Sequence, residues 1–217
     1  MRSAQLADGV DGITFLPRHG VNVYVLGDVL VDAGYAQLAK GVIAAVRDRG
    51  VTAHALTHAH PDHAGGSARV TRELGIPMWA PEGDAAAVEA GRTETKAGWM
   101  APFGKFPAAR VDRRLREGDE VGGFTVLEVP GHSPGHVAYW READRVLVCG
   151  DVFFNLSLAT LRYGLRHPPG PFTPDPARNR ESQRRLAGLD PELVLFGHGP
   201  VLRGRGRLRA FVDAQSR

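Results

Sequence analysis

Only one cysteine, Cys149, occurs in the chain, which excludes an intrachain disulfide and any cysteine-rich zinc module. Lysine is nearly missing as well, confined to Lys40, Lys96 and Lys105. Arginine therefore carries most of the positive charge behind the formal net charge of +3. That balance reads as a compositional habit, and no nucleic-acid partner is expected from it. No segment approaches the ~20 consecutive apolar residues that span a bilayer. The opening MRSAQLADGVDGITF lacks the apolar stretch of a secretory signal. A cytoplasmic protein with no membrane partner is the expectation. What is present is ordinary for a globular chain: 217 residues, 43% hydrophobic and 24% charged, enough to bury a sizeable core. No linker divides the chain, so residues 1–217 are expected to form a single domain.

The first third reads strand, strand, helix, strand. VNVYVLGD and VLVDAG are apolar runs joined at a Gly-Asp turn. AQLAKGVIAAVRDRG has apolar residues at helical spacing and a terminal glycine, VTAHALTH follows as a strand, and AGGSARVTRELG reads as a helix stopped at Gly75. IPMWA is a short strand and EGDAAAVEAG a helix; WMAPFGKFPAA, with aromatics between Gly and Pro breakers, reads as a lid or an apolar plug. The second half repeats the outline. FTVLEVPGH and PELVLFGH are strands with loops, HVAYWREADRVLVCGD is two strands around a polar turn, and NRESQRRLAGL and RGRLRAFVDAQ are helical. VYVLGDVLVDAG and AYWREADRVLVCGD echo each other as hairpins ending at Asp32 and Asp151. Two β-rich halves, 1–117 and 118–217, imply two sheets packed face to face with helices outside.

Histidine is distributed unevenly. Of nine in the chain, three fall within HAHPDH, His58 to His63. HALTHAHPDH, VLEVPGH, VLVCGD and LVLFGH are four apolar runs that each end at a potential metal ligand. Strands with a common direction would bring His58, His60, Asp62, His63, His132, Asp151 and His198 to one rim. His58 and His60 share a face in extended backbone. Pro61 then breaks the strand and lets Asp62 and His63 aim elsewhere, while Gly65 and Gly66 allow close packing behind the turn. A lone histidine at a strand end is usually a satisfied polar group, but no packing need calls for HxHxDH. Imidazole with carboxylate and no thiolate suits Zn²⁺, with Fe or Mn as alternatives. Seven ligands are enough for two ions that share an acid.

HAHPDH, the GH at His132, the GD at Asp151 and the GH at His198 together resemble the signature of the metallo-β-lactamase superfamily. The likeness runs from VNVYVLGDVLVDAG to LVLFGHGPVL. It implies an α+β fold, a four-layer αββα sandwich of two mixed sheets with outer helices and metals at one edge. It also implies that His58, His60 and His132 hold a first metal, that Asp62, His63 and His198 hold a second, and that Asp151 bridges. Asp32 resembles the family's supporting acid, with a strand-end cap as the alternative; His136 occurs in relatives as a supporting residue. Several branches fit poorly: His60 stands where flavodiiron proteins carry an acid, and there is no room for the β-CASP insertion. Cys149 is read as core rather than as a ligand. About nineteen residues follow His198, short for the helical extension of glyoxalase II-like enzymes, so a glutathione thioester is less favoured.

The implied function is hydrolysis of an ester, thioester or lactone of a small molecule by metal-activated water, with Asp62 as the catalytic residue that orients the water and carries a proton. Glyoxalase II-like thioester cleavage and β-lactam amide cleavage are alternatives within that chemistry. A mononuclear iron dioxygenase acting on persulfides is the alternative from another reaction class, and a non-catalytic metal-binding module is a third. Trp99, Met100, Phe103, Phe106, Phe153 and Phe154 are candidates for an apolar pocket. Arg162, Tyr163, Arg166 and His167 could meet an anionic end, with Tyr163 a possible counterpart of a lactonase tyrosine. The run RGRGRLR reads as a solvated face. Monomer or homodimer is the expected state.

Overall fold

The computed structural model describes residues 1–93 and 104–215. One sheet has seven strands in chain order: β1 (Arg2–Ala7), β2 (Val10–Phe15), β3 (Val21–Leu26), β4 (Val29–Val31), β5 (Ala53–Ala55), β6 (Met78–Pro81) and β7 (Arg113–Leu115). The first four pair antiparallel, and β4 through β7 are parallel. The other sheet comprises β8 (Glu120–Val121), β9 (Phe124–Glu128), β10 (Val137–Arg141), β11 (Val146–Gly150), β14 (Leu193–Phe196) and β15 (Leu202–Arg203), in the order β15-β14-β11-β10-β9-β8. Its one parallel pair is β11 with β14. A separate hairpin joins β12 (Phe154–Leu156) to β13 (Tyr163–Arg166).

Alternation along buried strands explains the layering. In β3, Tyr24 and Leu26 enter the core between the sheets, whereas Val23 and Val25 face the other way. In β11, Val146 and Val148 point inward, and Leu147 and Cys149 point outward. The outer face of the first sheet is covered by α1 (Ala39–Val46) and α3 (Ser67–Leu74), through Val42, Ile43, Val46 and Val70, with the short α2 (Pro61–Ala64) between them in the chain. The outer face of the second is covered by α5 (Pro176–Gly188) and α6 (Arg207–Ala214), through Leu186 and Leu208. α4 (Glu82–Ala90) packs Ala85 and Val88 against Met78 and Ala80 of β6. The result is the expected αββα sandwich.

The two hairpins that echo in sequence are equivalent in pairing as well. β3–β4 and β10–β11 are antiparallel, and in each the second strand pairs parallel with the next strand of its sheet. Two expectations need correction. The reading that opened the fold at VNVYVLGD missed the β1–β2 hairpin that precedes it. VTAHALTH is a strand only over Ala53–Ala55. Beyond it the backbone leaves the ladder, because Val137 N–H from the other sheet donates to Thr57 O at 2.9 Å.

Candidate metal centre

The seven residues singled out by the sequence lie together in two groups at the ends of the strands. Ligand atoms of His58, His60 and His132 are mutually within 4.8 Å, and so are those of Asp62, His63, Asp151 and His198. His58, His60, His63, His132, Asp151 and His198 are buried; Asp62 keeps 17% of its side chain exposed.

The hydrogen bonds fix which nitrogen each ring offers. Thr57 Oγ1 donates to Asp32, so it accepts from His58 Nδ1–H at 3.0 Å, and His58 Nε2 is left with a lone pair. Thr173 Oγ1 donates to Pro169 O and accepts from His132 Nδ1–H at 3.1 Å, which frees His132 Nε2 in the same way. His60 Nδ1 lies 2.9 Å from each of these two Nε2 atoms. Three ring nitrogens therefore converge with at most one proton to share among them. Burial, followed by the neighbouring imidazoles, holds His58 well below its usual pKa. Burial and then His132 push His60 down to about 3. These are neutral rings with bare lone pairs facing one point, the donor set of a cation site.

The second group has the opposite electrostatics, two acids set beside two imidazoles. His63 Nδ1–H donates to Asp32 Oδ2 at 2.7 Å, and His198 Nδ1–H donates to Gly20 O at 2.6 Å. Each ring thereby turns Nε2 toward the centre. His198 Nε2 lies 3.1 Å from Asp62 Oδ2 and 3.2 Å from Asp151 Oδ2, and His63 Nε2 lies 3.3 Å from Asp151 Oδ2. Neither Nε2 finds a hydrogen-bond partner, nor does Asp151 Oδ1, although all three are buried. Burial pushes the His63 and His198 rings down, but the carboxylates outweigh it. Asp151, with Asp32 and Asp62, raises His63 well above its usual value, and Asp151 with Asp62 raises His198 to about 10. Burial works against charge on both acids too, yet His63 and His198 hold Asp62 and Asp151 well below the usual carboxylate range. The carboxylates thus favour positive charge at this point, which a dication would supply. The orphaned atoms and the mixed N/O donors fit such an ion.

Asp151 joins the groups. Its Oδ2 is also 3.4 Å from His132 Nε2 and 3.9 Å from His58 Nε2. Gly197 makes this approach possible, because a Cβ there would sit 2.1 Å from Asp151 Oδ1. Asp151 N–H donates to His136 Nε2 at 3.1 Å, and the His136 ring stacks on His58. The turn behind HAHPDH is equally close: a Cβ on Gly66 would meet Ala33 O at 2.4 Å.

Asp32 fills both roles considered for it. It caps Thr57 N–H at 2.8 Å and also holds His63. Cys149 is fully buried among Leu127, Leu147 and Leu186, and burial pushes its thiol up. The strand alternation that would aim it with Asp151 breaks at Gly150, where φ is +50°.

A cavity of about 190 Å³ opens from the centre, lined by His60, Asp62, His132, Asp151 and His198 together with apolar side chains. Phe154 lines it, its ring 4.5 Å from that of His198. Phe153 does not, packing against Phe211 of α6 instead. Phe106 packs with the α4 cluster. Trp99, Met100 and Phe103, the heart of the expected lid, lie outside the described residues. Three of the anionic-end candidates turn elsewhere. His167 pairs with Gln183, and Arg166 donates to the carbonyls of Gly164 and Arg162. Tyr163 lines a separate cavity with Arg18 and His19. The tyrosine beside the centre is Tyr35, which the sequence reading passed over. Burial and then Asp62 and Asp151 push its phenol up to about 12.

Asp84 was also missed. Its Oδ2 accepts from Ala59 N–H at 2.9 Å and Ser133 Oγ–H at 2.7 Å, and its Oδ1 accepts from Gly135 N–H at 2.7 Å. One buried carboxylate thus ties the loop of His58 and His60 to the loop of His132. In sequence it is an acid in the first turn of a helix, which helix electrostatics alone would explain.

Comparison with known proteins places this geometry. A family model described as "Metallo-beta-lactamase superfamily" matches residues 16–198. The probable metallo-hydrolase YflN of Bacillus subtilis is 30% identical over 234 aligned residues, covering 93% of this chain and 88% of that protein. A hydroxyacylglutathione hydrolase of Bdellovibrio bacteriovorus is 30% identical over 145 residues, covering 65% of this chain but only 46% of the relative. Among solved structures, TTHA1623 in a di-iron-bound form aligns with a TM-score of 0.65 at 31% identity, covering 95% of this chain and 96% of that one.

Proposed function

The chain belongs to the metallo-β-lactamase superfamily, and from that premise we propose that it is a dinuclear metal-dependent hydrolase, with zinc as the expected metal, cleaving an ester, thioester or lactone of a small molecule. The observation that carries this reading is the position of Asp151 Oδ2, between 3.2 and 3.9 Å from the Nε2 atoms of His198, His63, His132 and His58. One carboxylate oxygen lies near both histidine groups, so Asp151 could help hold an ion at either. Two divalent ions bound there would supply a lowered pKa for water and a Lewis acid for the substrate carbonyl.

The protein's own groups supply orientation and proton transfer. Asp62 is the acid of the cluster that borders the cavity with exposed surface. It is placed to accept a proton from the attacking water and return it to the leaving group. Asp32, Thr57, Thr173 and the Gly20 carbonyl hold the rings in the tautomer that presents the required nitrogen. Their fixed hydrogen bonds mean little reorganisation accompanies binding.

The mononuclear iron reading gains no support, because Asp62, His63 and His198 form a second group as complete as the first. Iron as the metal of a two-ion hydrolase remains compatible, since TTHA1623 was solved with two irons.

The test is turnover of an ester, thioester, lactone and β-lactam panel by metal-loaded protein, beside the Asp62→Ala variant. Hydrolysis by the parent is expected, with loss of at least ~100-fold in kcat for the variant at unchanged circular dichroism. Full activity in the variant would remove Asp62 from the mechanism. Oxygen uptake on persulfides, without hydrolysis of any panel member, would replace the reading.

A further inference from the structure

The walls of the cavity differ in character from its floor. Above the histidines and carboxylates stand Tyr35, Phe154, Leu158 and Phe172, with prolines of the 169–174 segment between them. Large apolar side chains left in water are uncommon without a reason when they gather in one place. Here Leu158, Phe172 and Tyr35 are 45%, 43% and 40% exposed, and all three face this one opening. Among the described residues, no lysine or arginine lines it. Of the arginines in the adjacent β12–β13 hairpin, Arg166 is spent on backbone carbonyls, and Arg162 is not among the residues that line the cavity.

The wall is also registered to the metal ligands. Phe172 belongs to a single 3₁₀ turn, Gly170–Phe172, bounded by Pro169 and Thr173. Thr173 Oγ1 donates to Pro169 O at 2.9 Å and accepts from His132 at 3.1 Å. The apolar segment therefore hangs on a ring of the first histidine group. Proline fixes φ and removes conformational freedom, so the wall is set before anything binds. The cavity, at about 190 Å³, is of the size at which a ~150 Å³ apolar cavity takes up benzene.

We propose that this wall selects substrates whose acyl arm is uncharged and apolar, an alkyl chain or a ring of about six carbons, and disfavours arms that carry a carboxylate. The inference rests on the hydrolase reading above. It predicts that esters whose acyl arm ends in a carboxylate are poor substrates compared with alkanoyl esters of the same alcohol and similar length.

The experiment separates the two claims by measuring binding apart from turnover. Alkanoyl hydroxamates, from acetyl to octanoyl, are titrated into metal-loaded full-length protein by calorimetry. Kd should fall two- to fourfold per methylene up to about six carbons, the gain expected for burying CH₂ groups on a partly open wall. A terminal carboxylate on the hexanoyl arm should raise Kd at least tenfold. Leu158→Ser and Phe172→Ser, both at exposed positions, should flatten the chain-length dependence. A Kd indifferent to chain length, or tighter binding of the acid-terminated arm, overturns the proposal. A steep gradient with no hydrolysis of the matching esters supports the wall as an apolar subsite and overturns the hydrolase reading alone.

Discussion

Asp84 illustrates how a residue outside the cation-facing set can govern it. Its carboxylate holds Ala59 N–H, Ser133 Oγ–H and Gly135 N–H, and so fixes the spacing between His60 and His132. Replacing it with Asn keeps the volume but turns one acceptor oxygen into a donor nitrogen facing another donor. Asp84→Asn is expected to weaken binding at the His58–His60–His132 group by roughly 10- to 100-fold, in the range seen for residues that orient ligands. The Asp62–His63–Asp151–His198 group should keep its affinity. Chelator competition with a cobalt-loaded sample resolves the two events; equal weakening of both, or of neither, would refute this role. The clustering of these histidines and acids was legible because each sits where an apolar run stops, and such density of imidazole has no packing purpose. Asp84 was not legible, since EGDAAAVEAG offers its acid as an ordinary first-turn residue. Tyr35 and Asp84 acquire their meaning only from neighbours distant in the chain, the cavity lining for one and the loops of His58 and His132 for the other.

At the scale of elements, His54 on β5 joins three of them. Nδ1 meets Leu30 O of β4 at 3.1 Å, and Nε2 meets Ser67 Oγ of α3 at 2.8 Å. Burial pushes its pKa down to about 4, below the ~6.5 of an unfolded chain. The unfolded state therefore takes up the proton first as pH falls. The stability that His54 contributes is complete above pH ~6.5 and is lost as pH falls toward about 4. Urea melts of metal-free protein and of His54→Gln test this. The advantage of the parent over the variant should shrink by up to ~3 kcal/mol across that window; a constant difference would show that His54 does not titrate with unfolding. Legibility at this scale followed burial. β3, β10, β11 and β14 were readable because both faces are apolar, and α3 because Gly75 stops it with φ +67°. The β1–β2 hairpin had a genuine signal, the Asp8–Gly9 turn. It was masked because RSAQLA lies on an exposed edge and shows no alternation. The β12–β13 hairpin was invisible for a related reason: the loop between its strands exposes Leu158, which lines the cavity, and Leu161, so the apolar residues keep no strand period.

For the molecule as a whole, the sandwich explains why ligands far apart in sequence meet. Hydrogen bonds crossing between the sheets pin the rim: Tyr139 Oη–H donates to Leu56 O at 2.5 Å, Tyr24 Oη–H to Phe196 O at 2.7 Å, and Asn22 Nδ2–H to Gly199 O at 2.8 Å. These bonds brace the loops of His58 and His198 from opposite sheets. Arginines pair with nearby acids at the surface, as in Arg49–Asp11, Arg116–Glu82, Arg185–Glu117 and Arg205–Asp190, and contribute little to stability individually. No helix among the described residues is long and apolar enough to cross a membrane. The layer order was legible from two β-rich halves with matching hairpins. The shape of the cavity was not, because its wall comes from turns and prolines that carry no period.

That one pocket binds two cations across Asp151 can be read from anomalous diffraction by crystals of the zinc-loaded protein. Two peaks are expected, one against His58, His60 and His132 and one against Asp62, His63 and His198, with the Asp151 carboxylate between them. A single peak, or peaks away from these side chains, would contradict it.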